Sequence, residues 1–191
     1  MSKNILLITD EVIKERSGLH GNIDPQLINP EIKLAQDRYI HPILGTALFR
    51  KLQDDIENDT LAGNYQTLMD DYIVDALIYY TMAELPNILS FQFYNKGMIR
   101  KRDENADTPT MTEIVMMSDN YRQKAEYYGN RLMLYLKENF TLFPEYLNPG
   151  NGVDTVLPGN RAFTMPIWLG DGYYSAKGLP IDYGDKRCCN E

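Results

Sequence analysis

The stretch NYQTLMDDYIVDALIYYTMA, Asn64 to Ala83, decides the fold. Tyr65, Leu68, Met69, Tyr72, Ile73, Ala76, Leu77, Tyr80 and Ala83 recur at i, i+3, i+4, i+7 and i+8, the spacing of one helical face. Asn64 is placed to cap this helix and Pro86 to stop it. Val74, Ile78 and Met82 form a second line at i, i+4 and i+8, on a face where a surface helix is polar. A helix apolar on two faces needs a second partner, inside the subunit or outside it.

Upstream, IKLAQDRYIHPILGTALFRKL, Ile32 to Leu52, reads as a bent helical pair. The first member starts at the cap Asn29 with Pro30 behind it, buries Ile32, Ala35, Gln36, Tyr39 and Ile40, and ends at His41-Pro42. Asp24-Pro25 is read as a separate short turn before it. After Gly45, Leu48, Phe49, Leu52 and Ile56 line a second amphipathic helix from Thr46 to Glu57. Nearer the start, Asn4 to Thr9 is short and apolar, and Asp10 to Arg16 suits a turn or two of helix.

Downstream, residues 88–109 hold Phe91, Phe93, Tyr94 and Gly97 and predict a loop or small hairpin. Thr110-Met-Thr-Glu113 is a capping box, in which Thr and Glu side chains each satisfy the other's backbone donor. The helix it opens carries Ile114, Met117, Ser118, Tyr121, Ala125, Tyr128, Gly129, Leu132, Tyr135 and Leu136 inward and reaches nearly to Asn139. Met116, Tyr127 and Leu134 fall on its far side and offer another sticky surface.

The pattern breaks at Pro144. From Pro144 onward lie seven of the 13 glycines and five of the 10 prolines, yet so do Leu157, Phe163, Ile167, Trp168, Leu169, Tyr173, Tyr174 and Tyr183. Gly and Pro resist independent folding while the aromatics resist full exposure. The expected fold is therefore mainly α: a bundle of about four main helices over residues 1–143, and an extended, irregular C-terminal arm over 144–191. The arm is expected to dock on a neighbour through Phe163, Ile167 and Trp168.

A net charge of −8 argues against a protein that grips DNA by neutralising its phosphates. The longest early apolar run, Ile5 to Ile8, is too short for an export signal, and no membrane span is expected. Cys188 and Cys189 are adjacent and cannot staple distant parts of one fold; free thiols in a reducing compartment are expected.

There is no phosphate-cradling loop, nucleophile elbow or zinc-type His and Cys pairing in the sequence. His20 and His41 read as structural. Asp54, Asp55, Glu57, Asp59, Asp70, Asp71 and Asp75 read as a solvated face, and Lys96, Arg100, Lys101 and Arg102 as a solvated loop interleaved with acids. No catalytic residue, cofactor or metal is expected. A helical protein-binding or scaffolding adaptor shares these features, and a carboxylate-dependent metalloenzyme is the weaker rival.

The Ile32 to Leu52 stretch, with its Ala-Gln helix, Tyr-Ile pair and Ile-Leu-Gly turn, resembles the opening helix pair of the head-to-tail connector proteins of tailed bacteriophages, the crAss-like type in particular. The similarity runs on through the Tyr72 to Ala83 helix, the Asn95-Lys96-Gly97 turn and the long last helix, over roughly residues 5–143. It implies a non-enzymatic virion protein of the phage neck, assembled in the host cytoplasm into a ring, commonly a dodecamer. Such a ring joins the portal to tail proteins and lets DNA pass through its centre. A ring requires two different sticky faces per chain. Val74, Ile78 and Met82 are one candidate face; Met116, Tyr127 and Leu134 are the other.

Overall fold

The computed structural model describes residues 4–95, 97–100, 109–148 and 155–159, and Met1–Gly159 form one compact unit. The fold is mainly helical, with four long rods. A short helix α1, Asp10–Arg16, precedes the first rod, in which α2, Pro25–Ala35, runs through a π turn, Gln36–Ile40, into α3, His41–Leu44. The second rod is α4, Thr46–Glu57. The third joins α5, Asn64–Leu68, through another π turn, Met69–Ile73, to α6, Val74–Ser90. The strands β1, Phe91–Tyr94, and β2, Gly97–Arg100, form an antiparallel hairpin with Tyr94 opposite Gly97. The fourth rod is α7, Met111–Glu138, followed by the short α8, Pro144–Leu147.

Three helix boundaries differ from the expectation, each through a proline. Asp24 accepts a hydrogen bond from the Gln26 amide and starts a single helix at Pro25, so Pro30 lies inside it rather than at its start. His41-Pro42 does not end the first rod. Ahead of it the His41 amide donates to the Gln36 carbonyl five residues back, and this wider ladder relieves the clash that a proline ring makes with an ordinary α turn. Pro86 likewise sits inside α6, which runs on to Ser90.

Helix α6 packs on α2 along one side and on α7 along the other, and this corrects the reading of Val74, Ile78 and Met82 as an external surface. Their exposures are 8%, 3% and 6%. The surplus apolar line is met inside the subunit, because the central rod of a bundle is flanked by neighbours on both sides. The N-terminal segment also belongs to this core. Leu7 and Ile8 are buried, the Leu7 amide donates to Gln36 Oε1, and both Gln36 Nε2 and Gln53 Nε2 donate to the Ile5 carbonyl.

Residues 144–148 and 155–159, expected to leave the bundle, lie on it instead. Tyr65 donates to Glu145 at 2.7 Å, and residues 155–159 lie as a strap across the α3–α4 corner. Phe163, Ile167 and Trp168, with the rest of 160–191, lie outside the described residues.

Candidate assembly surface

The inner face of α7 is set by its register against the third rod. Tyr72 stacks on Tyr135 at 4.0 Å and Tyr79 on Tyr128 at 5.0 Å, so rungs seven residues apart on one helix meet rungs seven apart on the other. Ser118 Oγ donates to the Ala83 carbonyl at 2.6 Å, and Gly129 lets the Tyr80 ring come close. Ile114, Ala125, Leu132 and Leu136 fill the space between, all buried. Met117, expected in this stripe, is 53% exposed instead.

The outer face of α7 carries the sequence-predicted Met116, Tyr127 and Leu134, at 66%, 66% and 60% exposure. Between them Asn120, Gln123 and Asn130 are also exposed. Together these six follow the 4-3-4-3-4 spacing of a helical seam, and none is charged. The three amides escape a search for apolar residues alone. Their signal is the absence of charge at seam spacing, on a helix whose other exposed positions are largely ionic.

Beside the seam a shallow cavity of about 420 Å³ opens between Tyr72, Tyr127, Arg131, Leu134 and Tyr135. The Arg131 guanidinium lies 4.7 Å over the Tyr72 ring, a cation–π contact that fixes the side chain at the cavity wall. Burial pushes the Tyr135 hydroxyl pKa up, with the neighbouring Tyr72 and Asp71 adding to it. The phenol therefore stays neutral. What the surface offers is aromatic area, amides and a held cation.

The second built feature is the α3–α4 corner. Gly45 has φ 77°, and a Cβ there would meet the Pro158 ring at 2.8 Å, so only glycine fits both the turn and the strap. The Thr46 amide, an unpaired donor at the start of α4, gives its proton to the Val156 carbonyl at 2.9 Å. Val156 returns its own amide proton to Thr46 Oγ1 at 2.8 Å, and Gly159 donates to the Pro42 carbonyl. His41 Nε2 lies 3.0 Å from the same hydroxyl and its ring stacks on Phe49. Burial holds the His41 pKa below its usual value; Asp37 opposes this, while Arg50 and Lys33 reinforce it. With its proton on Nδ1 a neutral ring can accept the proton of this hydroxyl, whose oxygen already accepts from the Val156 amide.

The remaining candidates fall apart as a site. His20 Nδ1 accepts from the Asn22 amide in a local turn. Asp55 is not on a solvated face: it is buried, with Lys51 Nζ at 2.6 Å and the Thr60 hydroxyl at 3.1 Å. Among the described residues no three of His, Cys, Asp and Glu gather closely enough to hold a metal ion, and no helix is long and apolar enough to cross a membrane. Lys96, Lys101, Arg102, Cys188 and Cys189 lie outside the described residues.

The fold and surface define a small helical-bundle domain with one uncharged outer seam and a strapped helical corner. Residues 40–156, more than half of the chain, match a family described as a family of unknown function (DUF6712), and the chain belongs to it. No curated protein and no solved structure matches the chain. The matched span opens one residue before His41 and closes on Val156, so it takes in the corner and the first residues of its strap.

Proposed function

We propose that this protein is a structural component of a tailed-phage neck, a ring that joins the portal to the tail and lets DNA pass through its centre. The observation that carries the reading is the outer face of α7. Met116, Tyr127 and Leu134 keep large apolar surface in water on the side of the helix away from the core, and a protein that works alone gains nothing from that exposure. The resemblance of the Ile32 to Leu52 helix pair to phage connectors supports the same reading, and a net charge of −8 suits a wall that does not grip a polyanion.

The partners are copies of the same chain, commonly twelve, together with the portal and adjoining neck or tail proteins. The segment carrying Phe163, Ile167 and Trp168 is a candidate anchor on a neighbour, since Trp and Tyr are favoured at the centres of interfaces. Native mass spectrometry with and without portal protein tests the reading. A closed high-order oligomer in either condition supports it, and strictly monomeric protein in both contradicts it.

A further inference from the structure

We propose that α7 of one copy lies beside α7 of the next, parallel and in register, with its acidic flank against the neighbour's basic flank. The proposal rests on the ring reading and says which surfaces meet within it. On one side of the uncharged seam α7 exposes Asp119 and Glu126; on the other it exposes Lys124 and Arg131, with Glu113 of the capping box in line with them at the start of the helix. At 3.6 residues per turn each pair lies roughly a fifth of a turn from the seam.

Opposite charges on opposite flanks select the direction of packing. In parallel helices Asp119 meets Lys124 of the neighbour, and Glu126 meets its Arg131, each five residues further along, the offset at which flanking charges pair across a parallel seam. An antiparallel neighbour would bring basic flank to basic flank and acidic flank to acidic flank. Cyclic symmetry gives every copy the same height and direction, which is the parallel arrangement.

The angle between the flanks selects closure over pairing. Measured across the seam they stand roughly 140° apart, and equal contacts repeated at that angle close a ring of on the order of ten copies. Two existing contacts bear on the cost. Asp119 already faces Arg122, but at 3.8 Å with both side chains about half exposed, a pair too weak to compete. Arg131 is held by Tyr72, so its guanidinium loses little freedom on meeting a carboxylate.

The test is charge reversal and exchange in the full chain, with native mass as the readout and circular dichroism to verify the fold. Glu126→Lys alone and Arg131→Glu alone should each cut the assembled fraction by at least about tenfold, and Glu126→Lys with Arg131→Glu should restore it. Asp119→Lys with Lys124→Glu is the independent second pair. Wild-type rings unaffected by either single reversal would overturn the flank contact while leaving the ring reading in place. A wild-type protein that stops at a two-fold dimer, or never assembles, would overturn both.

Discussion

Thr46 and Val156, 110 residues apart in the chain, hold each other by two reciprocal hydrogen bonds, backbone to backbone at 2.9 Å and backbone to hydroxyl at 2.8 Å. The strap thereby caps the first turn of α4, and the boundary of the folded unit moves from Phe143 to Gly159. Truncation after Phe143 should therefore destabilise the subunit by about 2–4 kcal/mol, counting roughly 1 kcal/mol for each hydrogen bond lost. Truncation after Gly159 should leave denaturant midpoints close to wild type. Equal stability of the two shortened chains would show that the strap contributes nothing.

The same corner carries a pH dependence. The His41 pKa is lower in the folded chain than its ordinary value of 6.5, chiefly through burial, so the unfolded chain binds the proton more readily. The contribution of neutral His41 is fully present above pH 6.5 and is lost as pH falls from there through the folded-state pKa. Wild type should lose more stability than His41→Gln between pH 7.5 and 5, with the difference opening below about 6.5. Parallel curves for the two proteins would remove His41 from the account.

Gly129 and Tyr80 set a sign test on α6–α7 packing. A Cβ at Gly129 would stand 2.8 Å from the Tyr80 hydroxyl oxygen, and the ring is pinned by its 4.1 Å stack on Tyr39. Overpacking of about 1–3 kcal/mol should outweigh the roughly 1 kcal/mol that alanine gains over glycine in a helix, so Gly129→Ala destabilises. In a Tyr80→Phe background the nearest obstacle is gone, the remaining ring atoms lie at 3.5 Å or beyond, and the same alanine should stabilise. Thermal melts of the four proteins decide it; the same sign in both backgrounds would refute the packing argument.

Ile78 and Tyr127 separate core from surface. Ile78→Asp puts a carboxylate into a site 3% exposed and should cost about 4 kcal/mol or more, enough to unfold much of the protein. Tyr127→Asp, at 66% exposure, should leave the melt within about 0.5 kcal/mol of wild type and weaken assembly, since every copy adds a charge to one closed surface. Gel filtration beside circular dichroism reads both. A folded Ile78→Asp, or a collapsed Tyr127→Asp, would invert the assignment of the two faces.

The four rods were legible because their apolar residues keep helical spacing, and the Thr110 and Glu113 capping box marked the start of α7 to the residue. Two things hid the destination of Val74, Ile78 and Met82. Periodicity reports that a face is apolar but not which chain covers it, and α6 is covered by helices distant from it in sequence. The prolines misled for a local reason: Pro42 follows a π turn whose longer hydrogen-bond reach no residue type announces. The strap was illegible because its contact is made by backbone groups of Val156 and Gly159, with Leu157 64% exposed between them. On α7 the far-side residues were found from spacing, while Asn120, Gln123 and Asn130 were not, because amides carry no apolar signal.

Electron microscopy of the purified full-length protein, alone and mixed with portal protein, tests the central claim most directly. Class averages should show closed rings with a central opening, assembled from repeated copies that present the same edge inward. Fields of single small particles under both conditions, or two-fold dimers without an opening, would contradict the account.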